Sequence, residues 1–296
     1  MKGIPAMCQI DRRGFLKATG VLGAGVCITG SRLLAADLAK GAPNAEKLGW
    51  RLGCQAYSFN RFTFSDAIDK TASLGLHYIE AYPGQRISDK LAGNVGPGMS
   101  AELRKEVLKK LADSGVKMVN FGVGGCDRQH FEFAKEMGIE TLVSEPGENA
   151  FDSIDKLCSE FGVNLAIHNH PKPSHYWNPE TVLKVCQGRG KRIGACADTG
   201  HWMRSGLNPV ECLKKLEGRI ISFHFKDLNQ MGGGAHDVPW GTGAGNAKEM
   251  LAEIHRQGIK AVFSIEYEHN WDNSVPEIAK CVEFFDKTAA ELAVKG

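Results

Sequence analysis

Four side chains that could hold a divalent cation stand at the ends of short apolar runs in the second half of the chain. They are Glu145 in TLVSEP (141–146), Asp198 in GACADTGHW (194–202), His224 in ISFHFKD (221–227) and Glu266 in AVFSIEYEHN (261–270). A mixed carboxylate and imidazole set suits a cation of intermediate hardness: Mn²⁺, Co²⁺, Fe²⁺ or Zn²⁺. His168, in NLAIHNHP (164–171), competes with Glu145 for the fourth ligand position. A polar group inside an apolar strand is costly unless it is paired. His224 and Glu266 are therefore expected to have partners.

The elements that position these groups follow from the alternation of short β-like runs with helical stretches. Strands are predicted at 52–59, 77–83, 117–125, 141–146, 164–171, 192–200, 221–227 and 261–268, with amphipathic helices at 100–115, 208–219 and 247–258 among the intervening segments. Gly75, Gly115, Gly138, Gly162 and Gly258 stand where helices should stop before the next strand. Eight such units without a second compositional zone predict an α/β fold, a single (β/α)₈ TIM barrel over 52–296. An open doubly wound sheet is less suitable, because no G-x-G-x-x-G follows the first strand. Period-2 alternation puts Ile221, Phe223 and Phe225 on one face and Ser222, His224 and Lys226 on the other; Glu266 shares a face with Ser264 and Glu268, and His168 with Ala166 and His170. Such polar faces should converge at the mouth of the barrel.

Seven of the ten histidines and four of the five tryptophans fall on or just after the last four strands. Aromatic planes around a polar cup suit carbohydrate, whose C–H faces stack while its hydroxyls find polar partners. His170, His201, Trp202, His236 and Trp240 are the expected substrate contacts.

The bulk numbers exclude other classes. The chain has 296 residues, is 43% hydrophobic and carries a net charge of +2. That balance argues against nucleic acid as a partner, and no stretch approaches the roughly 20 apolar residues of a membrane span. A small-molecule carbohydrate is the expected partner, and association into a homo-oligomer is compatible with the composition. Asp11-Arg12-Arg13-Gly14-Phe15-Leu16-Lys17, a mildly apolar run to Gly30 and an Ala-rich zone near Ala36 make residues 1–36 an expected twin-arginine leader. Residues 37–51 would then be a linker, and the protein exported to the periplasm or another extracytoplasmic address. Of nine cysteines two lie in that leader; the other seven have no C-x-x-C spacing, which suits buried apolar packing better than zinc, although an oxidising address would permit a disulfide.

From Leu52 onward the chain resembles the xylose-isomerase-like barrels, the sugar isomerases, epimerases and inosose dehydratase-like proteins. The resemblance rests on Asp198-Thr-Gly-His201, His224 in His-Phe-Lys-Asp, Glu266, and Trp240-Gly-Thr-Gly243 after the seventh strand. It implies that Asp198, His224 and Glu266 bind a divalent metal, that His201 lies near substrate, and that Glu266 also exchanges protons. Family epimerases usually carry a glutamate on strand five, where this chain has His168. The implied chemistry is removal of a proton next to a sugar carbonyl, through an enediolate, with Glu266 or Glu145 as base and His201, His168 or Lys226 as the second proton carrier. Return of the proton isomerises or epimerises the sugar; loss of a β-oxygen makes the enzyme a lyase on an inosose or 3-keto-glycoside. Metal-free sugar binding is the non-catalytic alternative. Export would favour a sugar without phosphate.

Overall fold

A computed structural model describes residues 41–294; the expected leader lies outside the described residues. Eight parallel strands close into a barrel in chain order: β1 (Arg51–Gln55), β2 (Tyr78–Ala81), β3 (Lys117–Phe121), β4 (Thr141–Ser144), β5 (Asn164–His168), β6 (Ile193–Asp198), β7 (Ile220–Phe225) and β8 (Val262–Ile265), with β8 paired back onto β1. The predicted (β/α)₈ fold is what forms. All five predicted stop glycines have positive φ, and Gly138 (φ 74°) and Gly162 (φ 71°) each return an N–H to a carbonyl of the helix they end.

The outward faces of the strands carry the large core. Phe223 stacks on Phe263 with ring centroids 4.4 Å apart, and Phe263, Phe225, Trp240, Trp50 and Phe285 continue the cluster beneath the helices. Rings of this size each stabilise the fold by about 1.5–3 kcal/mol on burial. The inside of the barrel is filled by smaller groups, Val143, Ala166 and Cys196, with Ile221 packed against them. Here the alternation expected for β7 breaks. Pairing passes from Ala195↔Ile220 to Cys196↔Ser222, so Ile221 is an extra residue and turns inward while Ile220 packs on the outer core. His224, beyond the bulge, keeps the predicted inward direction.

The stretch expected to be a linker is part of the barrel from residue 43. Pro43–Lys47 forms helix α1, and Asn44 binds Asp286 of the C-terminal helix through its backbone N–H (2.6 Å) and its amide (2.8 Å). Trp50 is buried and donates its indole N–H to Ile259 O. The seven cysteines of the described residues are free, six of them buried. No helix among the described residues is long and apolar enough to cross a membrane.

Candidate metal centre and cleft

Four late strands deliver one donor each to a common point. His168 ends β5, Asp198 ends β6, His224 lies in β7 and Glu266 follows β8, and one ligand atom from each lies within 4.8 Å of all the others. All four residues are buried. Two of the donors, His168 Nε2 and His224 Nδ1, make no hydrogen bond, and Asp198 Oδ2 has only ion-pair neighbours, Lys226 Nζ at 3.0 Å among them. Buried polar atoms in proteins are overwhelmingly hydrogen-bonded, so two imidazole nitrogens without a hydrogen bond, facing the carboxylates of Asp198 and Glu266 at 3.4 and 3.1 Å, mark a candidate ligand site. Two imidazoles and two carboxylates suit a divalent cation.

The other atom of three of the ligands is held by protein. His168 Nδ1 contacts Glu145 Oε1 at 2.9 Å, and His224 Nε2 contacts Glu80 Oε1 at 2.8 Å. A carboxylate behind a ligating histidine fixes its tautomer and ring plane and raises its basicity. Glu80 itself accepts Ser264 Oγ (2.7 Å) and Asn120 Nδ2 (3.3 Å). Asp198 is the N-cap of helix α7 (Thr199–Arg204; helices α2 to α6 are Phe64–Ser73, Ala101–Asp113, Arg128–Met137, Phe151–Phe161 and Pro179–Cys186): its Oδ1 accepts the His201 N–H at 2.7 Å, leaving Oδ2 for the site. Asn169 clamps the Asp198 backbone at both N and O. Glu145 therefore sits behind His168, on the side away from the other three donors, and also contacts His170 Nδ1. Glu80 escaped the sequence reading. Its signal was the one that marked His224: a charged residue inside an apolar strand, here between Ile79 and Ala81.

Lys226 directly follows β7 and is fully buried. Its Nζ lies 2.7 Å from Glu266 Oε2, 3.0 Å from Asp198 Oδ2 and 2.9 Å from Glu268 Oε2. Burial alone would lower its pKa, but Asp198, Glu266 and Glu268 outweigh burial and hold it well above the usual lysine range. Burial likewise works against charged Asp198 and Glu266, yet the surrounding cations, Lys226 foremost for Glu266, hold both well below the carboxylate range. Gly200 of the Asp-Thr-Gly-His segment makes room for this lysine, since a Cβ there would stand 2.7 Å from Lys226 Cδ. Glu268, outside the four donors, gives the ammonium a carboxylate that a cation would not need.

Above the donors lies a cleft of about 340 Å³ lined by Gln55, Tyr57, Tyr82, Pro83, Val123, His170, His201, Glu266 and Glu268. Of the predicted substrate contacts, His170 and His201 reach it. Trp202 and Trp240 do not: both are buried in the main core, Trp240 against Phe225 at 4.7 Å. His236 is exposed and stacks on His269 instead. The aromatic edge comes from the opposite side, where Tyr57 meets Tyr82 at 5.2 Å and Trp271 at 5.7 Å. His201 Nδ1 receives Arg204 Nη1 at 3.0 Å, and its Nε2 lies 3.5 Å from Asp198 Oδ2. Burial, with Lys226 and His168 nearby, holds His201 well below its usual range against the pull of Asp198. Arg204 also binds Glu268 (2.6 Å) and Asp237 (3.2 Å).

The segment 240–245 is tied down by Asp227 of His-Phe-Lys-Asp. Its carboxylate accepts the N–H groups of Gly241, Gly243 and Gly245 at 2.9, 3.0 and 3.0 Å. A Cβ at Gly243 would meet Asp227 Oδ1 at 2.4 Å, so this glycine is needed for the close approach. The Trp-Gly-Thr-Gly stretch thus shapes the loop after β7 rather than touching the cleft.

The family described as xylose isomerase-like TIM barrel matches residues 68–288 of the chain. A solved but uncharacterised protein from Parabacteroides distasonis is 32% identical, with a TM-score of 0.67 over 81% of this chain and 99% of that one. An inosose dehydratase of Clostridium botulinum is 30% identical over 80 residues, 27% of each protein, so the match spans about a quarter of that relative's length. The zinc-bound IOLI protein shares the fold, with a TM-score of 0.60 at 18% identity over 83% of this chain and 98% of that one.

Proposed function

Since the chain belongs to the xylose isomerase-like TIM-barrel family, we propose that it is a divalent-metal-dependent isomerase- or epimerase-type enzyme that removes a proton next to the carbonyl of a non-phosphorylated sugar or keto-sugar. The observation that carries this reading is that one ligand atom each of His168, Asp198, His224 and Glu266, all buried, lie within 4.8 Å of one another, the two imidazole nitrogens His168 Nε2 and His224 Nδ1 without a hydrogen bond. These four residues would hold the cation, Mn²⁺, Co²⁺, Fe²⁺ or Zn²⁺, with Glu145 and Glu80 behind the two histidines. When bound, the cation would supply Lewis acidity to adjacent sugar oxygens. Glu266 borders both the donors and the cleft, and its carboxylate stays ionised beside Lys226, so it is the base of this reading.

The cleft argues for a neutral sugar. Its lining contains two carboxylates and, among the described residues, no lysine or arginine, and Lys226 beneath is engaged by three acids. A phosphate ester would meet repulsion there. Export through residues 1–36 is part of the same proposal. A lyase outcome is the second reading, favoured by one observation: the strand-five donor is the imidazole of His168 and not a carboxylate, so the two faces of a substrate would meet unlike groups.

The test is metal analysis together with solvent-deuterium exchange on D-fructose, D-tagatose and methyl 3-keto-β-D-glucopyranoside. Deuterium at the carbon next to the carbonyl is the expected result. Metal-loaded protein that exchanges no proton on any of the three would overturn the reading.

A further inference from the structure

A sugar brings several hydroxyl groups into the cleft, and each hydroxyl that leaves water needs an acceptor for its proton, because an unpaired polar group is expensive to bury. Few lining side chains have an acceptor to spare. Gln55 uses both ends of its amide on protein, donating to Gly122 O at 2.7 Å and accepting the Tyr57 N–H at 2.6 Å. His170 and His201 each spend Nδ1 on protein. Glu266 belongs to the four donors of the metal centre. Glu268 is the other carboxylate of the lining, and among the described residues it belongs to no group that could hold a cation.

The Glu268 carboxylate is pinned through one oxygen and open at the other. Its Oε2 accepts Lys226 Nζ at 2.9 Å and Arg204 Nη1 at 2.6 Å. Hydrogen bonds between charged partners are short and strong, so two of them on one atom hold it in place. The cations are held in turn, Lys226 by Asp198 and Glu266, and Arg204 by Asp237 at 3.2 Å. Oε1 accepts no hydrogen bond from any described residue, and the side chain is 21% exposed where it lines the cleft. Pairing the two cations uses Oε2 alone and gives Oε1 no task. Glu266 Oε2 lies 2.7 Å from the same Nζ, so the two carboxylates flank one ammonium. A substrate C–H directed at Glu266 therefore brings its own hydroxyl, or that of the adjacent carbon, alongside Glu268.

We propose that Glu268 is a specificity-determining residue: its Oε1 accepts a hydrogen bond from a substrate hydroxyl on, or next to, the carbon that reacts, and Lys226 and Arg204 are the positioning residues that aim it. The substrate class narrows to sugars with a free hydroxyl at that place, which excludes their deoxy, O-alkylated and phosphorylated counterparts. The inference rests on the reading under Proposed function, which supplies the sugar and the base. The hydroxyl keeps its proton throughout; it gains one hydrogen bond on entry and loses it on release.

The test measures binding by calorimetry to the metal-saturated full chain, with metal content checked in every protein. The ligands are the same three sugars and analogues of each in which one hydroxyl at a time is replaced by fluorine, which resembles the hydroxyl in size but donates no hydrogen bond. The parent should bind one analogue about 10–100-fold more weakly than the unsubstituted sugar, the range for one hydrogen bond to a charged group. In Glu268→Gln the amide oxygen goes to the two cations, and the NH₂ group, which only donates, turns to the cleft. The loss at that one position should then shrink to less than about threefold, while losses elsewhere stay within about twofold of the parent's, as positions that share no partner should. Glu268→Ala should show the same local change, which guards against a repositioned glutamine. The proposal is overturned if both variants keep the parent's fluorine profile, if losses shrink at every position alike, as a displaced Lys226 would cause, or if the metal-saturated parent binds none of the three sugars. A parent that shows the profile yet exchanges no deuterium sinks the proposed reaction and leaves this assignment standing.

Discussion

The two halves of the barrel supply one cavity with different kinds of side chain. From β5 to β8 and their extensions come His168, Asp198, His224 and Glu266, whose ligand atoms lie within 4.8 Å of one another, with the Lys226 ammonium against the two carboxylates. From β1 to β3 come Gln55, Glu80 and Asn120, whose hydrogen bonds end on protein: Gln55 on Gly122 O, Asn120 on Glu80, and Glu80 on His224. One half offers unsatisfied donors and the other satisfies them from behind. Glu80 reaches from β2 to β7 to do so, which only a closed barrel permits. The lesson is that the reactive half is held in geometry by the half that does no chemistry.

The sharpest way to break that division is Glu266→Gln, which keeps the side-chain volume and removes the base. Exchange of the proton next to the carbonyl should fall by about 10³-fold or more, the loss expected when a positioned base is removed and equivalent to roughly 4 kcal/mol in the barrier. A fall smaller than tenfold would mean that the late half does not contain the base.

Trp240→Ala comes next in size. Trp240 packs on Phe225 and Phe285 beneath the loop that Asp227 anchors, with 2% of its surface exposed. Its loss should cost about 3–5 kcal/mol in denaturant unfolding, while KM of the folded fraction stays within about twofold. A large rise in KM with unchanged stability would return this tryptophan to the substrate side.

That tryptophan also shows where sequence reasoning stopped. All eight strands were legible because each is a short apolar run, and five of them follow a helix that stops on glycine. Asp198, His224 and Glu266 were legible because a charged group interrupts such a run. Which way a loop aromatic turns depends on what the loop packs against, and nothing in the spacing of Trp202 or Trp240 distinguishes core from rim. Ile221 was misplaced for a related reason: a bulge adds one residue to the count, and period-2 reasoning carries the error until the register recovers. Glu80 was readable by the rule that found His224, but its strand lies among the early ones, which carry few other polar signals. The role of Glu145 could not be read at all, since Glu145 and His168 differ only in which side of one imidazole they occupy.

Glu80→Gln tests the supporting half directly. It preserves shape and an acceptor but withdraws the charge behind His224, so metal affinity should weaken by about 10–100-fold, measured by competition with a chelator. Activity should return at saturating metal. Unchanged affinity would reduce the early half to packing.

Glu145 gives a smaller effect with a definite sign. Its pKa in the folded protein is lowered from 4.5 to about 2, so it contributes stability that is fully present above about 4.5 and is lost as pH falls toward 2. Its open side screens part of that, leaving no more than about 2 kcal/mol. Denaturant midpoints of metal-free parent and Glu145→Gln proteins should therefore differ at pH 7 and converge near pH 2.5. A gap independent of pH would show that the carboxylate is not ionised against its two histidines.

The smallest effect concerns the rim, where the early half does face the cleft. Tyr57 is 39% exposed and touches Tyr82 and Trp271 edge to face. If this ring offers its plane to the C–H face of a sugar, Tyr57→Ala should raise KM by about fivefold, near 1 kcal/mol for one aromatic contact, with kcat and the unfolding midpoint almost unchanged. Tyr57→Phe should behave like the parent, because stacking uses the ring and not the hydroxyl. A loss in the phenylalanine variant equal to that in the alanine variant would instead assign the hydroxyl to the substrate. The early half would then supply a polar contact as well as the scaffold, and the division between the two halves would hold only below the cleft.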